Sequence, residues 1–239
     1  MSESFQLFLD SKDAIKNNND YQFFLPNLEV LEGYYLYLSV VSVTIPYSFY
    51  NINSYNNYFS YNLDNEINNV IISVGNYNIN QLVSELKNQM KHIVITYNSI
   101  TNKLTFSHNN SDFILYYSKL LGILGFNNIN LTSVNRQITS HNCINLNYIR
   151  CINIDSNICT YNINRSLQNN SSILCSIPVN TTPYSLIQYY NYNNFRSNLF
   201  KNNLDCIFIR LVDNDDNIID LNGLNFNLTI QLDVESFKI

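Results

Sequence analysis

Hydrophobic positions in this chain recur mostly at a spacing of two, the period of β-strands. The longest such stretch covers 36–50, LYLSVVSVTIPYSFY. Leu36, Leu38 and Val40 share one strand face, and Val41, Val43 and Ile45 follow in the opposite phase. A phase change of this kind marks a β-bulge at Val40-Val41 or a strand buried on both sides, and both place the strand deep in a sheet. Pro46 lacks an N–H for the ladder, so the strand is expected to stop there. Residues 51–69 then read as a polar connection.

The same pattern predicts a first strand over 4–10, a polar loop over 11–20 and a short strand over 21–25 stopped by Pro26. At Val70 the character changes. Residues 70–74 read as a strand ending at Gly75, and Asn78 with Gln81 forms a capping box for a helix over 79–90 with Ile79, Leu82, Val83, Leu86 and Met90 on one face. A hairpin is expected over 93–107 and a strand over 113–116. Ser118 is placed to cap a short helical turn that Gly125 closes. Beyond a polar link over 127–142, strands are expected over 144–154 and 172–179 and in the segment opened by Pro183. The nearly continuous apolar run 206–212 reads as a central strand, and 224–234 alternates as a half-buried one.

Composition narrows the partners. Charged residues make up 13% of the chain, about half the usual share, and Asn and Ser supply the polarity instead. AT-rich coding accounts for that Asn, Ile and Tyr usage, and apolar residues at strand spacing argue against a prion-like tract. A net charge of −5 gives no general attraction to phosphate backbones, so direct nucleic-acid binding is not expected. No signal-peptide pattern opens the chain and no apolar run reaches membrane-spanning length, so a soluble protein made in a cytosol is expected.

Candidate chemistry is sparse. Cys143, Cys151, Cys159, Cys175 and Cys206 include no CxxC pair, which speaks against a zinc site and a disulfide framework. The sequons at Asn130 and Asn227 are expected by chance in so Asn-rich a chain. His92, His108 and His141 show no metal or triad spacing, and Gly122 and Gly125 read as helix punctuation, not a phosphate loop. The acidic run 213–217 resembles the start of an EF-hand loop, but Ile218 and Leu224 occupy the glycine and bidentate-acid positions. A solvated hairpin turn is the simpler reading, with a Ca²⁺ turn as its rival. No catalytic, cofactor or metal residue is assigned, and the chain is not expected to be an enzyme. The 19 Tyr and 14 Phe, clustered as in Tyr189-Tyr190-Asn191-Tyr192, suit sheet packing, a protein interface or sugar stacking.

Several short stretches carry a resemblance: Val43-Thr44-Ile45-Pro46, Tyr50-Asn51-Ile52, Gly75-Asn76-Tyr77-Asn78, 121–126 (LGILGF) and Asp220-Leu221-Asn222-Gly223. Together they resemble the penton, or minor capsid, proteins of virophages and Polinton-like viruses. The resemblance implies a mainly β chain: one jelly-roll β-sandwich over 1–66 and 130–239, with a small inserted α+β subdomain over 67–129. It further implies a homopentamer at icosahedral virion vertices, assembled in host cytoplasm, with capsomers of the major capsid protein as neighbours and an inserted subdomain that either meets a host receptor or simply covers the vertex. The residues of the assembly interface are not identified by it. The alternatives are a carbohydrate-binding or host-attachment β-sandwich, or another minor capsid protein. A cupin-type enzyme is disfavoured by the missing histidine cluster.

Overall fold

The computed structural model describes residues 2–17, 20–29, 34–158, 172–199 and 203–236. In chain order the first strands are β1 (Ser2–Asp10), β2 (Ile15–Asn17), β3 (Asp20–Glu29) and β4 (Tyr34–Pro46). Next come β5 (Tyr58–Leu63), β6 (Glu66–Ile71), α1 (Ile79–Gln89), β7 (Val94–Asn98), β8 (Lys103–Ser107) and β9 (Phe113–Tyr116). They are followed by α2 (Lys119–Ile123), β10 (Leu131–Thr132) and β11 (Gln137–Thr139). The last six strands are β12 (Cys151–Ser156), β13 (Ile173–Pro178), β14 (Leu186–Tyr190), β15 (Ser197–Asn198), β16 (Asn203–Val212) and β17 (Asn227–Ser236). Among the described residues all strand pairs are antiparallel, and the chain is mainly β.

Two compact units form, one from Met1–Phe49 with Ile149–Ile239 and the other from Tyr50–Tyr148. Among the described residues the first unit holds two sheets. One has the order β1-β17-β4-β14, with β15 also pairing β4; the other has the order β13-β12-β16-β3-β2. Leaving the short β2 and β15 aside, successive strands cross from one sheet to the other except β12 and β13, which pair as neighbours in one sheet, and this is the connectivity expected of an eight-stranded jelly roll. Inward positions are apolar: Leu36, Leu38, Val40, Val43 and Ile45 of β4 are buried, as are Leu228, Ile230 and Leu232 of its neighbour β17. The Tyr21 ring of β3 meets Phe226, at the entry to β17, edge-on at 4.9 Å, linking the two sheets.

The phase change in β4 is a bulge. Thr229 pairs with Ser42 and Ile230 with Val40, so Val41 is the extra residue. Pro26 does not stop β3, which runs on to Glu29. The register against β16 slips between Leu204 and Cys206, opposite this stretch, and at such an irregularity a missing N–H costs no ladder bond.

The second unit carries sheets β10-β9-β5-β6 and β11-β8-β7 with both helices. Its core includes Phe59, Phe106, Phe113 and Phe126, with the Phe106 and Phe126 rings 5.1 Å apart. The capping box of α1 is formed: Gln81 N–H donates to Asn78 Oδ1 at 3.0 Å, and Asn78 N–H donates to Gln81 Oε1 at 2.9 Å. Ser118 Oγ caps α2 by accepting from Leu121 N–H at 3.2 Å. Gly125, at φ +89°, passes so close to the next segment that a Cβ there would lie 2.2 Å from the Asn142 carbonyl oxygen.

Besides the run through Pro26, three expected segments differ in the structure. Residues 51–69 are not merely a polar connection, since β5 and β6 form a hairpin through Asp64 and Asn65. Both have positive φ, as a two-residue type I′ turn requires. The strand expected over 70–74 is instead β6, ending at Ile71. The strand expected over 144–154 begins only at Cys151: Ile144, Leu146 and Tyr148 alternate because they pack on the second unit's core. That core also takes in Ile52, Phe59, Tyr61 and Leu63, so the contact-defined unit is wider than residues 67–129.

Candidate assembly surfaces

The residues singled out for chemistry serve as structural fixings. His108 Nδ1 accepts from Ser111 N–H at 3.0 Å, and the His141 carbonyl accepts from Lys103 Nζ at 2.8 Å, while His92 is exposed. Asp213 is buried at the start of its turn, where its carboxylate accepts from the backbone N–H groups of Asp215 and Asn217 and from the Asn217 amide. A carboxylate so engaged closes a turn. Asp112 does similar work in the second unit: it accepts from Ser133 Oγ and Arg136 N–H, each at 2.7 Å, and these bonds lower its pKa below the ordinary value.

Cys143 is exposed, Cys151, Cys175 and Cys206 are partly buried, and Cys159 lies outside the described residues. Burial pushes the Cys175 thiol up to about 12. Among the described residues no group of three or more His, Cys, Asp or Glu is placed to hold a metal ion, and no helix is long and apolar enough to cross a membrane.

What remains are surfaces. On the outer face of the β13-β12-β16-β3-β2 sheet, Arg210 stands opposite Asp155 in the β12–β16 register, and its side chain also reaches Asp20 at the start of β3. Arg210 Nε donates to Asp20 Oδ1 at 2.7 Å, and a terminal guanidinium nitrogen lies 3.6 Å from Asp155 Oδ2. The Asp20 hydrogen bond raises the Arg210 pKa. These residues line a pocket of about 330 Å³ with Ser156, Asn157 and Phe208.

The outer face of the β1-β17-β4-β14 sheet is polar in its middle and aromatic at its margins. Ser4 Oγ donates to Asp233 Oδ1 at 2.6 Å, and Gln231 donates to the same oxygen at 2.9 Å. Arg196 pairs with Glu235 and lies 4.4 Å over the Tyr37 ring. One row across the sheet reads Phe8, Thr229, Ser42, Tyr190, with an exposed ring at each end. Tyr190 and Tyr192 lie 5.9 Å apart, centroid to centroid. The Tyr189-Tyr190-Asn191-Tyr192 cluster was visible in the sequence. Its extension back through Leu186 to Tyr184, all exposed, was not drawn from it, though spacing by two carries that signal.

No protein-family model matches this sequence, and no curated protein does. Among solved structures, a crystal structure of the SeMet-labelled mavirus penton protein matches with a TM-score of 0.52 at 13% identity, covering 99% of this chain and 100% of that one. The fold is shared with the mavirus penton protein. A chain of the Sputnik virophage cryo-EM structure matches at TM-score 0.48 and 12% identity over 97% of each chain. The likeness to the mavirus penton protein takes in the sandwich strands and the residues of the second unit alike.

Proposed function

We propose that this chain is a structural capsid protein, the penton subunit of a virophage-type virion, and not an enzyme. The supporting observation is the extent of the shared fold: 99% of this chain and all of the mavirus penton protein. A jelly roll alone would support little, because lectins and cupins use the same sandwich. A sandwich interrupted between its fourth and next strands by a unit with its own core is a far more particular arrangement.

In this reading five copies close a ring at an icosahedral vertex. A closed ring of identical subunits uses heterologous contacts, one surface meeting a different surface on the next copy. Capsomers of the major capsid protein surround the ring. Assembly takes place in host cytoplasm, and the role assigned to the unit Tyr50–Tyr148 is to cover the vertex or meet a host receptor.

The test is the native mass of the purified protein, alone and with its major capsid protein, followed by electron microscopy of the particles. A five-fold ring is expected. A strict monomer that never joins capsomers overturns the proposal.

A further inference from the structure

Sheet edges expose unpaired backbone groups, and proteins guard them with charge, proline or shortness. One sheet of the first unit follows that rule. Its edge strands are β13, which ends at Pro178, and β2, which is three residues long and carries Lys16. The other sheet is guarded only at the ends of its edges. Its edge strands β1 and β14 pair on one side only among the described residues; β1 carries Glu3 and Asp10 at its ends and β14 follows Pro183, but residues 4–9 and 184–195 between them hold neither a charged side chain nor a proline, and both edges display large apolar groups.

On the β14 side these are Tyr184, Leu186, Tyr190, Tyr192 and Phe195, with Tyr184 at 89% and Tyr192 at 86% exposure. Aromatic side chains bury about 150–250 Å² each, so this stripe offers roughly 600 Å² of contact area. That reaches the upper end for the largest patch on a monomer, and with a polar rim it approaches the roughly 800 Å² per partner of a stable interface. The loop that presents it is held rigidly: Asn191 donates its side-chain amide to the Phe195 carbonyl at 2.7 Å and accepts from Phe195 N–H at 3.0 Å. Tyr184 sits in a turn closed by Ser185 N–H on the Thr182 carbonyl, at φ +70°, where a type II turn ordinarily has glycine. The side chain sits there against its own backbone preference, and its exposure leaves it to an outside partner.

The geometry points to a defined contact between copies: the β14 edge of one chain, Tyr184 to Phe195, packs against the β1 edge of the next, centred on Phe8 at 77% exposure. The assignment rests on the penton reading, because a closed ring requires two unlike surfaces on different sides of a subunit. These two are the opposite edges of one sheet. Charge agrees with it. At a net charge of −5 copies repel, and these edges meet without bringing like charges together.

Two variants test the contact by sedimentation and native mass spectrometry of the full chain: Phe8→Ser, and the combination Y184G/Y192S/F195S. All four positions are exposed, so far-UV circular dichroism should match the parent. The parent forms rings, and each variant shifts the ring dissociation concentration at least tenfold upward or is monomeric. Mixed together, the two variants form a heterodimer through their one intact pair of edges, and no ring. Tyr184→Gly alone weakens the ring while raising the thermal midpoint, since it relieves the positive φ. Variant rings as stable as the parent's overturn the contact and leave the penton reading standing. A parent that is monomeric with and without the major capsid protein overturns both.

Discussion

Val40 and Val43 of β4 are buried on the same side of their sheet although three positions separate them. Strict alternation would place them on opposite faces. Val41, which has no partner in β17, absorbs the extra step, so Leu36, Leu38 and Val40 face the core together with Val43 and Ile45. Val43 is 2% exposed, and a carboxylate there has no partner. Val43→Asp should therefore prevent folding and not merely assembly, whereas Val43→Ala should cost about 2 kcal/mol in a urea titration. A soluble, folded Val43→Asp monomer would show that the core lies elsewhere.

Gly125 and Gly223 both have positive φ, but their surroundings differ. A Cβ at Gly125 meets the Asn142 carbonyl oxygen at 2.2 Å, and one at Gly223 meets nothing within 4 Å. Gly223→Ala should cost about 1 kcal/mol, the backbone strain alone. Gly125→Ala adds a backbone collision that no side-chain rotation can relieve, and should cost more than about 3 kcal/mol. Equal thermal shifts for the two would refute the close approach.

How much of this was legible in the sequence depended on how local the cause was. The α1 cap, the α2 cap at Ser118 and the phase change at Val40-Val41 were legible, because spacing within a few residues determines them, while the choice there between a bulge and a strand buried on both sides needed the register against β17. The β5–β6 hairpin was overlooked because Asn and Ser dominate 51–69, although Phe59, Tyr61 and Leu63 alternate and Asp64-Asn65 suits a tight turn. Ile144, Leu146 and Tyr148 misled for the opposite reason: they alternate against a core built from distant residues. The apolar edges could not be read in advance, since which strand lies at an edge is a property of sheet order. Composition alone cannot mark β14 as an edge and β16 as central.

The capping box of α1 offers a clean measure of local stabilisation. Asn78 is exposed, so Asn78→Ala removes the cap without disturbing the core. The loss should be about 1 kcal/mol. Asn78→Ser or Asn78→Asp should restore most of it, because either side chain can accept from Gln81 N–H. Differential scanning calorimetry of the three variants checks this, and an unchanged midpoint for Asn78→Ala would mean that the helix is held by packing of Leu82, Val83 and Leu86 alone.

Cys175 stands opposite Ile154 in the β12–β13 pair, and burial pushes its thiol from 9.0 up to about 12. Only the thiolate reacts readily with alkylating agents. At pH 8, iodoacetamide should therefore label the exposed Cys143 well before Cys175 in the folded protein, and both at similar rates in urea, as read by peptide mass mapping. The same shift has a consequence for stability. Folding disfavours the charged form, so the stabilisation tied to the neutral thiol is complete below the unfolded-state value near 9 and is lost progressively as pH rises from there toward about 12. Tyr47 and Tyr61, also raised by burial, add to that alkaline decline. Cys175→Ala isolates the thiol's share: its unfolding midpoint should fall less steeply above pH 9 than the parent's and run parallel to it between pH 6 and 8. Parallel curves across the whole range, or equal labelling of Cys143 and Cys175 in the folded state, would mean that the Cys175 thiol is open to solvent.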